Sequence, residues 1–300
     1  MNILVTGSTG LVGTALIPVL TGAGHEVVRL VRSKSRNPSK ELIGWDPVAN
    51  YIDAAGLEGL DAIVHLAGEP IAAGRWNAAR KARIRDSRVQ GTRLLCDALA
   101  HLSRPPATLI CASAIGFYGD RGDEVLTEAS AAGHDFLADV CREWEEACDP
   151  ARTKGIRVAH TRFGVILSPQ GGALARMLTP FKLGAGGVLG SGKQYMSCIA
   201  IDDCVGAIVH ALGNTAVTGP VNVVGPQPVT NHVFTKTLGQ VLGRPTIFPM
   251  PAFAARLAFG EMADALLLSS SRVDPQKLRE TGYEFRCPTL ESALRHVLGK

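Results

Sequence analysis

The first thirteen residues constrain this chain most. Met1-Asn-Ile-Leu-Val5 is a short apolar run of strand character, and it feeds directly into Thr6-Gly7-Ser8-Thr9-Gly10-Leu11-Val12-Gly13. Val12, Ala15, Leu16, Val19 and Leu20 then recur at helical spacing. Strand, glycine turn and helix in that order form the context in which Gly-x-x-Gly-x-x-Gly holds a dinucleotide. Gly7 permits the tight turn, Gly10 lets the backbone approach a pyrophosphate, and Gly13 lets the helix pack closely on the strand. The helix N-terminus presents free N–H groups and the positive end of its dipole to the phosphates. Ser8, Thr9, Leu11 and Val12 lie between the glycines and share the expected contact surface.

The second strand narrows the dinucleotide. His25-Glu-Val-Val-Arg-Leu-Val-Arg32 follows a Gly22/Gly24 turn and ends in arginine, with Ser33, Lys34 and Arg36 beyond it. An acidic residue near this point receives the ribose 2′-hydroxyl of NAD, whereas arginine suits a 2′-phosphate. NADP(H) is therefore expected, with Arg32 as its reader.

Further strands alternate with helices, the pattern of a doubly wound parallel α/β sheet, the Rossmann architecture. Asp61-Ala-Ile-Val-His-Leu-Ala-Gly68 is one such strand, in which His65 reads as a packed residue. A long helix runs from about Trp76 to Leu102, with Arg88 on its polar side and Ile84, Leu94 and Leu95 opposite. Ala107–Ser113 is the next strand, followed by a helix over 134–153 and a strand over 156–162. Beyond Gly164 the chain turns glycine-rich, as expected of loops over a substrate pocket. Thr230 is a plausible cap for a helix over 231–242, and a last helix is expected from Thr289. Residues 1–165 are expected to form the dinucleotide-binding domain, with core strands also supplied from about 195–225. Residues 166–300, including the segment 250–300, are expected to form a smaller interleaved substrate lobe.

Composition excludes several classes. The net charge of +4 is mild, and the basic stretch Arg75–Arg93 reads as a helix face, so nucleic acid is not an expected partner. No apolar run is long enough to span a membrane, and the apolar N-terminus lacks the charged start of a signal peptide. Seven cysteines at irregular spacing, none in Cys-x-x-Cys, argue against a disulfide framework and against a zinc site; reduced thiols in a cytoplasmic protein are expected. The expected partner is a small-molecule substrate, with the chain a monomer or homodimer.

Thr-Gly-x-x-Gly-x-x-Gly at the N-terminus resembles the extended, epimerase-like branch of the short-chain dehydrogenase/reductase superfamily. Leu66-Ala-Gly-Glu-Pro-Ile71, Arg75-Trp76, Ser113-Ala-Ile-Gly-Phe-Tyr-Gly119, Leu189-Gly-Ser-Gly-Lys193 and Gly282-Tyr-Glu-Phe-Arg-Cys-Pro narrow it further. Over its whole length the chain is similar to the group called epimerase family proteins, carrying a nucleoside-diphosphate-sugar epimerase label and a C-terminal domain of unknown function. The resemblance implies that Leu66, Ala67, Gly68, Arg88 and Val165 border the cofactor.

The chain departs from the superfamily at the chemistry. Active members use Tyr-x-x-x-Lys, in which a phenol near an ammonium serves as general acid/base. The corresponding stretch, Phe136-Leu-Ala-Asp-Val-Cys-Arg-Glu-Trp-Glu145, holds neither tyrosine nor lysine. Ala114 sits where a hydroxyl is common, and Met196 and Ala200 stand near positions often held by arginine and histidine. Two readings follow. In the first, an NADP(H)-dependent oxidoreductase or epimerase uses an atypical proton donor, with Tyr118 leading, Ser113 assisting and Glu69 as the carboxylate. In the second, the dinucleotide site survives without turnover, as a sensor of the NADPH/NADP state.

Overall fold

A computed structural model describes residues 1–32 and 42–300. Its fourteen described strands are numbered in chain order. Eight form one sheet: β1 (Asn2–Thr6), β2 (Glu26–Arg32), β3 (Leu42–Asp46), β4 (Tyr51–Ile52), β5 (Ala62–His65), β6 (Thr108–Ala114), β8 (Arg157–Phe163) and β12 (Gly219–Val223). Their spatial order is β12-β8-β6-β5-β1-β2-β3-β4, parallel throughout except where β4 runs antiparallel to β3. The winding reverses between β1 and β5, and in such sheets a crevice opens outside the carboxyl ends of the strands at that reversal. The glycine turn stands there.

Alternation along β1 decides which layer each residue joins. Ile3 and Val5 face α1 (Leu11–Gly22) and α6 (Ile201–Gly213), where Leu16, Leu20, Ile208 and Ala211 complete one core. Leu4 faces the other way, onto Leu95 and Leu99 of α2 (Ala78–Ala100) and the sheet residues Ile63 and Leu109. Each fully buried leucine contributes about 2 kcal/mol relative to leaving it in water. Along α1 the structure buries Gly13, Leu16 and Leu20 but leaves Val19 exposed, because Val19 lies at the flank of the buried stripe.

The expected helix over 134–153 is two helices, α3 (Phe136–Glu146) and α4 (Asp149–Thr153). Pro150 stands at the start of the second and cannot donate to the first, which therefore ends. The 195–225 region also divides. β12 joins the main sheet, whereas β11 (Cys198–Ala200) pairs in parallel with β9 (Val165–Leu167) outside it. Two further pairs tie the lobe together: β10 (Tyr195–Met196) with β13 (Val229–Thr230), and β7 (Val125–Leu126) with β14 (Arg272–Val273).

The second lobe has its own core. Leu174, Leu178 and Phe181 of α5 (Gly172–Lys182) meet Phe234 and Leu238 of α7 (Asn231–Leu242), and Leu290 and Leu294 of the final helix Leu290–Leu298. The expected cap is present, Thr230 Oγ1 accepting from the Val233 N–H, and Thr289 Oγ1 caps the last helix in the same way by accepting from the Ser292 N–H.

Candidate functional site

The three glycines of the turn differ in what surrounds them. Gly7 has φ +64°, and a methyl group there would stand 2.8 Å from the Leu66 carbonyl carbon. A methyl on Gly13 would stand 2.4 Å from the Gly7 carbonyl oxygen, so only glycine lets α1 begin this close to β1. At Gly10 the single neighbour within 4 Å of such a methyl is the Gly7 oxygen at 3.2 Å, and the space beyond is open. Gly10 also caps α1 with extended backbone and no side-chain acceptor, leaving the N–H groups of the first turn for a ligand. Ser8 is buried while Thr9 and Gly10 face solvent; Leu11 and Val12 are half-buried. The Leu11 side chain lies against Gly171 and Gly172, so the glycine-rich loop before α5 closes one side of the turn.

A hydroxyl that the sequence analysis did not single out shapes the opposite wall. Thr6 Oγ1 accepts the N–H groups of Leu66 and Ala67, each at 3.0 Å. With both acceptances made, its own proton goes to His65 Nδ1 at 2.8 Å. His65 must then carry its proton on Nε2, which donates to Thr92 Oγ1 at 2.9 Å. Thr92 Oγ1 accepts Trp144 Nε1–H as well. Burial pushes the His65 pKa down to about 4. His65 is thus a packed, neutral post holding the Leu66–Ala67 strand end in place.

Next to it, the Arg88 guanidinium lies against Gly68, 3.3 Å from where a methyl would be. It donates to the carbonyls of Glu69 at 3.1 Å and Ile84 at 2.9 Å and rests over the Trp144 ring. Arg88 therefore closes the floor of the crevice below Gly68.

Glu69 is engaged too. Its carboxylate pairs with Arg80 at 2.6 Å, its N–H donates to Ser87 Oγ, and Arg80 also reaches the Pro70 carbonyl. The following segment is bound to the second lobe by Arg75 on the carbonyls of Leu257 and Ala258, by Arg176 on Ala72 and by Lys81 with Glu261. The expected catalytic carboxylate is paired with Arg80 beside the segment that reaches the second lobe.

Tyr118 and Ser113 are not in the crevice. Tyr118 is 0% exposed, donates to Asn222 Oδ1 at 2.6 Å and accepts from Arg162 at 3.0 Å. Ser113 is also buried and donates to Glu145 Oε1 at 2.7 Å, while Glu145 holds Arg162 through two contacts of 2.8 Å. Desolvation pushes the pKa of this enclosed phenol up. Tyr118, expected as the leading phenol, and Ser113, its expected helper, are thus enclosed in one buried hydrogen-bond network. From α3, the residues facing Ala114 and Ser113 are Cys141 and Glu145, four apart on one helix face. Burial pushes the Cys141 thiol up to about 12, so it supplies no ready base.

Of the two remaining cofactor residues, Arg32 ends β2 exposed, in register with Trp45. Ser33, Lys34 and Arg36 lie outside the described residues. Val165 opens β9 with its N–H on the Ser197 carbonyl and packs against the second core. Nothing in the sequence marked Glu145 with Arg162 or Asn222 as partners of Ser113 and Tyr118; an arginine at the end of an apolar strand was the one signal.

Comparison with known proteins matches residues 3–225 to the NAD-dependent epimerase/dehydratase family and residues 250–297 to a domain of unknown function, DUF1731. An epimerase family protein of Mycobacterium bovis is 44% identical over 295 residues, covering 98% of this chain and 97% of that protein. The crystal structure of the human epimerase family protein SDR39U1 with NADPH superposes with a TM-score of 0.90 at 35% identity, covering 100% of both chains. A UDP-glucuronic acid 4-epimerase from Bacillus cereus, at 18% identity and TM-score 0.78, shares the fold, covering 100% of this chain and 99% of its own.

Proposed function

The chain belongs to the NAD-dependent epimerase/dehydratase family, and from that premise we propose that it binds NADP(H) and carries out oxidoreductase or epimerase-type chemistry on a small molecule of the carbonyl or sugar-nucleotide class. The carrying observation is the uncapped start of α1 at the sheet's winding reversal, with open space in front of Gly10. NADPH in the human relative supports the choice of cofactor.

The residues fit the group. The first-turn N–H groups of α1 would take the pyrophosphate, and Arg32 would meet a 2′-phosphate at the end of β2. Leu66, Ala67 and Gly68, backed by Arg88 and fixed by Thr6, would line the path towards the nicotinamide; Val165 borders it from the second lobe. When bound, the nicotinamide supplies or accepts hydride. The protein's share is orientation. Arg88 and the Arg80-paired Glu69 hold the floor, and the second lobe covers it.

Binding is tested by fluorescence titration with NADPH and NADH. Wild type should prefer NADPH, and Arg32→Asp should lose roughly 10- to 100-fold in NADPH affinity, since a charge-assisted contact is worth about 1.5–3 kcal/mol. Equal affinities in wild type would sink the assignment. One observation favours a second reading, a cofactor-binding sensor without turnover: Tyr118 and Ser113 are enclosed, and α3 offers a thiol and a paired carboxylate in place of phenol and ammonium. Oxidation of bound NADPH by any member of a carbonyl and sugar-nucleotide panel decides for the enzyme. The proposed location is the cytoplasm; among the described residues no helix is long and apolar enough to cross a membrane.

A further inference from the structure

The outer face of the second lobe is apolar where a folded chain is ordinarily polar. Residues 183–190 run beside 245–252. A methyl on Gly184 would stand 3.8 Å from Pro245 Cγ, the Met250 N–H donates to the Val188 carbonyl at 2.9 Å, and the Gly190 N–H donates to the Met250 carbonyl at 2.9 Å. A helix, α8 (Ala252–Phe259), continues from the second run. Along this surface Leu183 is 79% exposed, Ile247 68%, Phe248 61%, Phe253 72% and Leu257 76%. Phe253 and Leu257 stand four apart on one face of α8, while Ala255 is buried. Single exposed apolar side chains are ordinary, but five large ones on adjoining segments mark a surface that something covers.

The charge around this face is one-sided. From residue 204 to residue 260 the chain has no aspartate or glutamate, and from 150 to 260 its only two are Asp202 and Asp203. Asp203 is buried and accepts the N–H groups of Arg286 and Cys287, and Asp202 pairs with His296. The two carboxylates that follow α8, Glu261 and Asp264, are taken by Lys81 and Arg256. Lys182 and Arg244, exposed and next in sequence to Leu183 and Pro245, have no carboxylate partner among the described residues. Lys236 lies on Thr246 and Arg75 on the α8 carbonyls, each through hydrogen bonds to neutral groups.

Apolar side chains ringed by uncompensated cations complement a lipid surface, where anionic headgroups stand above acyl chains. Phenylalanine and leucine enter the boundary between the two, and lysine and arginine stay at headgroup level. A second copy docked through the same patch would set these cations against their own counterparts with no carboxylate to meet them. The eight residues of α8 reach only about 12 Å at 1.5 Å per residue, far short of a bilayer core, so the helix lies on such a surface and does not cross it.

We propose that the face formed by 183–187, 245–250 and α8 rests on an anionic lipid surface. Phe253 and Leu257 sit among the headgroups, and Lys182 and Arg244 meet the lipid phosphates.

The test uses the full chain and two kinds of vesicle, phosphatidylcholine alone and phosphatidylcholine with phosphatidylglycerol in equal parts. Pelleting at low salt should show at least about 10-fold tighter binding to the mixed vesicles, and binding should weaken as salt is raised. Phe253→Ser with Leu257→Ser should lose the pelleting yet keep the melting temperature and NADPH affinity, because both side chains are exposed. Lys182→Glu with Arg244→Glu should remove most of the preference for phosphatidylglycerol. No pelleting on either vesicle, equal binding to both, or a double-serine variant that binds like wild type would each overturn the proposal. So would a dimer in sedimentation velocity that the double-serine variant splits, which gives the face to a second copy. Retention on immobilised polyglutamate without pelleting on vesicles would overturn it too, by giving the face to an acidic protein.

Discussion

Single residues in the turn divide into those the ligand needs and those the fold needs. Gly10→Ala adds a methyl that meets only the Gly7 oxygen at 3.2 Å, so the protein should keep its melting temperature within a few degrees yet bind NADPH far more weakly. Gly13→Ala places the methyl 2.4 Å from that same oxygen. Relieving the overlap moves α1 against β1 and should cost about 1–3 kcal/mol of stability, read by chemical denaturation. Reversed effects, with Gly10→Ala unfolding and Gly13→Ala silent, would show that the turn is misplaced. His65 carries a second residue-scale expectation. Its folded pKa lies near 4 against 6.5 for an unfolded chain, so between these values the unfolded state binds the proton and the folded state does not. Its stability contribution is complete above the unfolded value and declines as pH falls from about 6.5 towards 4. His160, also pushed down by burial, acts in the same direction. Thermal unfolding followed across that range should show the decline, with a shallower slope in His65→Gln; a flat wild-type profile would contradict the neutral post.

At the scale of elements, α3 is held by polar partners more than its length suggests. Asp135 caps it by accepting the Ala138 N–H at 2.9 Å, and Asp135→Ala should cost about 1 kcal/mol. Glu145 joins the helix to β6 through Ser113 and to β8 through Arg162. Glu145→Leu leaves the Arg162 guanidinium, 4% exposed, without its carboxylate and should destabilise by about 3–5 kcal/mol. Tyr118→Phe removes one acceptor from Arg162 and the donor to Asn222, for a loss of about 1–3 kcal/mol. Because the phenol is enclosed, its loss should lower stability and leave NADPH affinity unchanged. A selective fall in turnover at unchanged stability would return Tyr118 to the chemistry.

The molecule as a whole is more interleaved than two successive matched segments suggest. Residues 250–297 match a separate domain of unknown function, yet Val273 is buried beside Leu126 and Tyr118, and Leu278 lies in the main-sheet core. Leu290 and Leu294 complete the core that α5 and α7 begin. The Arg75 and Lys81 contacts then fasten residues 257–261 to the segment beside the crevice. A chain cut at residue 249 should therefore fail to give a cooperative unfolding transition, which circular dichroism melting checks. A truncated chain that melts sharply would show residues 250–297 to be an independent unit.

The sequence alone determined the strand, turn and helix of residues 1–22, the alternating α/β order, the cap at Thr230 and the last helix from Thr289. These are contiguous patterns, in which steric freedom at glycine, apolar period and a single side-chain oxygen act within a few residues of one another. It also identified what α3 lacks. Only the tertiary structure decided what Tyr118, Ser113 and Glu69 do. Tyr118 bonds to Asn222, 104 residues away, Ser113 to Glu145, 32 away, and Glu69 to Arg80 across a turn, 11 away. It likewise gathered Cys111, Cys148 and His160, whose spacing along the chain follows no motif. A hydroxyl or thiol has one chemistry in water and another when a distant strand desolvates it and supplies its partner, and that distance is set by sheet order.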